Sequence, residues 1–209
     1  MIIRQVPVEG IITTNAYFYI DEVTKHGFLL DAGAEAEKLL QIVADNHWTI
    51  EKILLTHGHF DHIGAVAEIS SILKIPYFAH KQSRKYLSDP QYNLSEYFGS
   101  PIILNNFQPL DDNAVTSLEV NSDIKLQLIH TPGHTQDSSI FYDTANHLAF
   151  VGDTIFKNSR GRTDIPGGND TQLLQNITNK ILTLPDDTIL YSGHTEPTTV
   201  KAEKRHYVL

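Results

Sequence analysis

The sequence predicts an α/β fold in which two β-sheets pack together with helices outside. Strand-like runs come in two blocks, one in the first third of the chain and one between Val115 and Val151, and helical spacing and a further short apolar strand follow each block. That order buries its apolar surface best when the two sheets face each other. With 209 residues and 41% hydrophobic content, the chain can fill such a core as one domain spanning residues 1–209.

Asn15 to Ile20 and Gly27 to Leu30 read as strands, joined by the polar hairpin turn Asp21-Glu22-Val23-Thr24-Lys25. Ala36, Leu39, Leu40 and Val43 recur at helical spacing and predict a helix between Ala34 and Asn46, after which Lys52 to Leu55 is a short buried strand. Ile63, Val66, Ala67, Ile69 and Leu73 mark a second helix, Tyr77 to Ala79 a short strand, and Lys81 to Leu87 another helix. Asp89 to Pro109 has no clear periodicity and reads as a surface loop in preference to a lid. Strands return at Val115 to Val120, Ile124 to Ile129, Ser139 to Tyr142 and Leu148 to Val151. Leu173, Leu174, Ile177, Ile181 and Leu182 then form an apolar stripe that Asn169-Asp170 can cap, and Thr188 to Ser192 is a final strand.

Sixteen Lys and Arg against 25 Asp and Glu give a formal charge of -9, which disfavours nucleic acid as a partner. Without cysteine there are neither disulfides nor thiolate ligands, so any metal site must use imidazole and carboxylate, donors that suit zinc, iron or manganese. Met1 to Glu9 holds no apolar run long enough for a signal sequence, and no later stretch approaches the length of a membrane span. The expected class is a cytoplasmic enzyme acting on a small molecule, away from membranes.

The segment Thr56-His57-Gly58-His59-Phe60-Asp61-His62 follows the apolar run Ile53-Leu54-Leu55 and crowds four potential ligands into six residues. Three imidazoles and a carboxylate at that density repel one another when protonated unless a cation organises them. Pro132-Gly133-His134-Thr135, Gly152-Asp153-Thr154 and Gly193-His194-Thr195 each follow a predicted strand, the end of the sheet where active-site groups of α/β folds collect. Each alone would be an ordinary turn. Together with the first cluster they supply enough donors for two ions.

These motifs, with Leu30-Asp31-Ala32-Gly33 and Gly161-Arg162-Thr163-Asp164, give the chain a resemblance over most of its length to the metallo-β-lactamase superfamily, and within it to the glyoxalase II-like branch. The resemblance implies a four-layer αββα sandwich and two divalent metal ions, zinc first, with iron or manganese as alternatives. It implies that His57, His59 and His134 hold one ion, that Asp61, His62 and His194 hold the second, and that Asp153 bridges them. Asp31 reads either as a residue supporting a ligand from behind or as a turn residue after a strand.

The chain departs from the glyoxalase II pattern in several places. It stops soon after the His194 loop, so the C-terminal helical domain that grips glutathione is expected to be absent. Gln136-Asp137 stands where many relatives have Pro-Gly, Thr195 where Gly is frequent, and the tail Arg205-His206-Tyr207-Val208-Leu209 lacks the usual Asn-Pro. Arg160 and Arg162 are candidates for holding a substrate carboxylate. The competing readings are an Arg162–Asp164 pair that braces the loop and an exposed charge at Arg160. Of the remaining histidines, His80 and His130 are expected nearest the site.

Two metals lower the pKa of water and polarise a carbonyl, and Asp61 is the residue expected to orient the nucleophile. No general acid is evident, which favours a leaving group that needs no proton; a thiolate, with a pKa of about 8.5, meets that condition. The expected reaction is hydrolysis of a small acyl thioester. The competing readings are a persulfide dioxygenase with one iron on His57, His134 and Asp153, and a lactonase, β-lactamase or nuclease of the same fold.

Overall fold

The computed structural model describes residues 1–207; Val208 and Leu209, the end of the tail noted above, lie outside the described residues. The first sheet is built from β1 (Ile2–Glu9), β2 (Thr13–Ile20), β3 (His26–Leu30), β4 (Thr49–Leu54), β5 (Tyr77–His80) and β6 (Gln108–Leu110), side by side in that order. β1, β2 and β3 form an antiparallel meander, and β3 to β6 run parallel. Parallel neighbours need crossovers, which here contain the helices α1 (Ala36–Asp45), α2 (Phe60–Ile63), α3 (Val66–Leu73) and α4 (Ser83–Ser88).

The second sheet contains β7 (Val115–Ser117), β8 (Lys125–His130), β9 (Ser139–Asp143) and β10 (Leu148–Gly152). A small ribbon follows, β11 (Ile155–Phe156) with β12 (Ser159–Arg160), and then α5 (Asp170–Asn176), which the Asn169 side chain caps by accepting the Gln172 N–H at 2.9 Å. One π-helical turn, Ile177–Ile181, extends α5. β13 (Ile189–Ser192), β14 (Thr198–Thr199) and α6 (Val200–Tyr207) complete the described residues, and the sheet order is β14-β13-β10-β9-β8-β7.

Alternation along the central strands explains the layering. In β2, Ala16, Phe18 and Ile20 face one apolar cluster, shared with Leu39, Val43, Val66 and Ile69 of α1 and α3, while Tyr17 and Tyr19 face another. That second cluster is the seam between the sheets, where Phe28, Leu30 and Leu54 meet Leu128, Phe141 and Phe150. Ile140, Tyr142, Ala149 and Val151 point the other way, onto Leu173, Ile177 and Ile181. Helix, sheet, sheet and helix therefore stack as four layers, and the central strands are apolar on both faces because both faces are covered. Each fully buried side chain of this size contributes roughly 1.5–3 kcal/mol.

Thr188 to Ser192, read as the final strand, is followed by β14 and α6, and the ribbon of β11 and β12 is also absent from the sequence reading, because two-residue strands carry no alternation; two further segments differ from it. Ile2 to Glu9 forms a strand although Pro7 lies within it; β1 pairs only with β2, and an edge strand tolerates the missing donor. Asp89 to Pro109 is more than a surface loop. Asn93 is fully buried and its Nδ2 donates to Tyr86 O and Ile102 O, both at 2.9 Å, so the segment is pinned down and Leu94 and Phe98 form part of a cleft wall.

Candidate metal centre

Five strands of the two sheets deliver polar residues from their C-terminal ends: β3 delivers Asp31, β4 the His57 to His62 segment, β8 the His134 loop, β10 Asp153, and β13 His194. Asp31 fixes the first of these loops. Its backbone is left-handed, with φ of 51°, and its Oδ1 accepts the Thr56 N–H at 2.8 Å while Oδ2 accepts the Thr56 hydroxyl at 2.7 Å. Glycines let the loops close up. A Cβ on Gly193 would lie 2.3 Å from Asp153 Oδ1 and 2.7 Å from His62 Cε1, and Gly152 combines a φ of +49° with a Cβ position 2.3 Å from Thr56 Oγ1.

The seven side chains singled out from the sequence converge. His59 Nδ1 lies 3.0 Å from both His57 Nε2 and His134 Nε2, which makes one group of three nitrogens. Asp61, His62 and His194 make a second group, with His62 Nε2 3.5 Å and His194 Nε2 3.3 Å from Asp61 Oδ2. Asp153 faces both: Oδ1 lies 3.3 Å from His62 Nε2, and Oδ2 lies 3.1 Å from His194 Nε2 and 3.6 Å from His134 Nε2. Asp31 completes the set from behind, accepting the His62 Nδ1–H at 3.0 Å.

The outward-facing nitrogens settle what the inward ones can do. His134 Nδ1–H donates to Arg162 O at 2.7 Å and His194 Nδ1–H to Thr13 O at 2.9 Å; a carbonyl can only accept, so each Nδ1 carries a proton, and Nε2 is the nitrogen each ring can offer to a cation, His194 after losing its second proton. Of the inward-facing atoms, His62 Nε2 and Asp153 Oδ1 are buried with no well-aligned hydrogen bond. Unsatisfied buried polar atoms are costly, and a ring of imidazole lone pairs and carboxylate oxygens fits divalent cations of the zinc, iron and manganese kind.

Electrostatics divide the cluster. Burial, then the neighbouring His62 and His59, pushes the His57 pKa well below the usual imidazole value. Burial and His134 bring His59 down to about 3, and burial lowers His134. The second group behaves oppositely. Burial works against charge on His62, but Asp61, Asp153 and Asp31 outweigh it and hold the pKa well above normal. For His194 burial is likewise outweighed, by hydrogen bonds to Asp153 and Asp61, and the pKa rises to about 10. Burial opposes ionisation of the two carboxyls, yet His62 and His194 bring Asp61 down to about 2 and Asp153 well below its usual range. Without a cation, then, three neutral imidazoles face two imidazolium–carboxylate partnerships.

The other expected residues are placed as follows. Arg162 forms a bidentate pair with Asp164, Nε to Oδ1 at 2.7 Å and Nη2 to Oδ2 at 2.8 Å, and Arg160 Nη2 reaches Asp170 Oδ1 at 3.0 Å. Both arginines line the cleft over the His/Asp cluster, each already facing a carboxylate. His80 and His130 lie behind the His134 loop. Their rings stack at 3.8 Å, His80 Nε2 meets Asp112 Oδ1 at 2.8 Å, and His130 Nε2–H donates to Gln136 O at 2.8 Å. Near-parallel rings cannot both point a lone pair in plane at one ion, so this group clasps the two sheets through a shared carboxylate.

Three residues of β2 were not anticipated. Thr14 Oγ1 donates to Asp61 Oδ2 at 2.8 Å. Asn15 Nδ2 donates to Ser192 O at 3.1 Å and Thr195 O at 3.0 Å, and Tyr17 OH to Ser192 O at 2.6 Å, bracing the His194 loop from both sides. Nothing in the spacing of Thr13-Thr14-Asn15 signals this, because the contacts join residues from 47 to 180 positions apart.

The family model for the metallo-beta-lactamase superfamily matches residues 10–194 of this chain. The hydroxyacylglutathione hydrolase GloC of Haemophilus influenzae is 31% identical over 209 residues, covering 98% of this chain and 96% of that protein. Among solved structures, the BLEG-1 B3 metallo-beta-lactamase superposes with a TM-score of 0.91 at 37% identity, covering 99% of this chain and 98% of its own. A di-iron-bound form of TTHA1623 superposes with a TM-score of 0.84 at 31% identity, covering 97% and 98%.

Proposed function

The chain belongs to the metallo-beta-lactamase superfamily, and from that premise we propose that it is a hydrolase of acyl thioesters that works with two divalent cations. His57, His59 and His134 would hold one cation and Asp61, His62 and His194 the other, with Asp153 between them; zinc suits these donors, and the di-iron form of TTHA1623 makes iron a natural alternative. Bound in pairs, such cations lower the pKa of water and polarise a carbonyl under attack.

The chain's own contribution follows from the geometry. The contacts of Asp61 with Thr14, His62 and His194 all fall on Oδ2, which leaves Oδ1 to orient the attacking water. Thr14 fixes the carboxylate plane. The backbone carbonyls of Arg162 and Thr13 and the carboxylate of Asp31 keep His134, His194 and His62 turned inward. Arg160 and Arg162, their charge partly met by Asp170 and Asp164, offer N–H donors to the thiol end of the substrate.

One observation carries the thioester assignment. Among the described residues, and apart from the His/Asp cluster, the polar side chains lining the cleft are Ser159, Arg160 and Arg162, none of which gives up a proton near neutrality. A leaving group must then depart unprotonated, which a thiolate does and an amide nitrogen does not. The relationship to GloC supports this reading, while the likeness to a B3 metallo-beta-lactamase favours a second one, hydrolysis of β-lactams. Steady-state kinetics of the zinc-loaded protein on a lactoyl thioester, a β-lactam and a phosphodiester separates them. Higher kcat/KM on the β-lactam or phosphodiester, or consumption of a persulfide with O₂ uptake by an iron-loaded sample alone, overturns the thioesterase reading.

A further inference from the structure

The cleft over the His/Asp cluster has a volume of about 350 Å³, and its apolar wall is formed by Ile12, Phe60, Leu94, Phe98, Phe156 and Ile165. A second cavity of about 270 Å³ adjoins it, and the two share Ile12, Phe60, Asp61 and Phe98. The Phe60 and Phe98 rings stack at 5.0 Å with 23° between planes, so the shared wall is largely aromatic. Among the described residues Asp61 is the sole ionisable side chain lining the second cavity; the other polar side chains there are the exposed Ser100 and the buried Ser95, whose hydroxyl accepts the Ile102 N–H at 2.9 Å. Arg160 and Arg162 line the outer cleft and take no part in the inner cavity.

Ile11, Ile12 and Phe98 around this cavity are 62%, 41% and 42% exposed. Large apolar groups gathered beside a cavity mark a ligand site more often than a stability device. The lining favours an apolar occupant: apart from the two serines and Asp61 it is aliphatic, aromatic or glycine, and a carboxylate placed here would gain no cation. A hydroxylated two- or three-carbon acyl group would leave the cavity unused.

Building on the thioester reading, we propose that the second cavity binds the alkyl tail of the acyl group, that the substrate is a medium-chain aliphatic acyl thioester, and that Phe98 determines the chain length accepted. The acyl carbon lies at Asp61, which borders both spaces, the tail runs past the Phe60–Phe98 pair, and the thiol end stays in the outer cleft with the arginines. Two segments remote in sequence, the β1–β2 turn through Ile11 and Ile12 and the segment from Ser95 to Ile102, build much of the cavity together, so specificity can be altered without touching the His/Asp cluster.

The test is a series of acetyl, butyryl, hexanoyl and octanoyl thioesters of one thiol, N-acetylcysteamine, with the zinc-loaded full chain. Selectivity should rise about fourfold in kcat/KM per buried methylene. Phe98→Ala should reduce the octanoyl-to-acetyl ratio at least tenfold. Calorimetric binding of octanoate and acetate, the carboxylate products, gives a readout independent of turnover: octanoate should bind at least tenfold more tightly, and Phe98→Ala should remove most of the difference. A flat or falling chain-length series, or a preference that Phe98→Ala leaves intact, overturns the proposal. If no thioester is hydrolysed the thioesterase reading falls, and octanoate binding decides the cavity on its own: no preference over acetate sinks it.

Discussion

Asp31 holds His62 from behind, its Oδ2 accepting the His62 Nδ1–H at 3.0 Å while the same carboxylate secures the N–H and hydroxyl of Thr56. The two readings of this residue therefore meet in one side chain: the left-handed turn and the support of His62 are both present. Asp31→Ala should weaken cation binding at the Asp61, His62 and His194 group by about 10- to 100-fold. Metal content after dialysis against a graded chelator reads this directly. Wild-type retention of both ions would reduce Asp31 to a turn residue.

Asp153 touches both donor groups, whereas Asp61 belongs to one. Asp153→Ala should lose metal and activity together. Asp61→Asn should keep at least one ion per chain and lose most turnover, because the amide neither carries the charge nor orients the water as the carboxylate does. Elemental analysis of protein purified without chelator should approach two metals per chain for the wild type; equal metal content in the two variants would contradict these roles.

The chelated protein should be most stable near pH 6.5. His57, His59 and His134 are depressed, His59 to about 3, so below their ordinary value of roughly 6.5 the unfolded chain takes up protons that the fold refuses, and stability falls as pH falls. His62 and His194 are raised, His194 to about 10, so their stabilisation is complete below roughly pH 6.5 and is lost as pH climbs toward 10. Thermal melts from pH 4.5 to about 9.5 test the maximum. Zinc added to a weakly buffered sample at neutral pH should release protons from His62 and His194, and a melting temperature that rises steadily across the range would argue against this charge distribution.

Gly193→Ala should be more damaging than its size suggests. The added methyl would sit 2.3 Å from Asp153 Oδ1, so the Asp153 carboxylate and the His62 ring must shift. A displacement of this order costs roughly 10²-fold in rate. Far-ultraviolet circular dichroism should stay native while metal content and kcat fall; retained kcat would show that the loop has slack.

The convergence of the seven His and Asp side chains was legible because each is a chemically unusual residue at an otherwise plain strand end: four crowd into His57 to His62, and His134, Asp153 and His194 each follow an apolar run. The central strands were legible for the related reason that burial on both faces leaves near-continuous apolar sequence, as in Ile140-Phe141-Tyr142. What escaped the sequence depends on tertiary placement. Pro7 masks β1, Thr14 gains its meaning from a carboxylate 47 positions away, and Leu94 and Phe98 have no periodicity because they line a cleft and not a helix face. The Arg162–Asp164 pair is local and was one of two open readings; Arg160–Asp170 spans a loop and was not foreseen.

The sheets are sorted along the chain: every strand of the first ends by Leu110, and every strand of the second begins at or after Val115. The donors divide the same way, His57, His59, Asp61 and His62 on one side and His134, Asp153 and His194 on the other. A nick in the turn between Leu110 and Val115 would sever no strand ladder, so two co-expressed fragments could reassociate across the apolar seam. Neither fragment would own a complete set of donors, and cation uptake would then report reassembly of the pair.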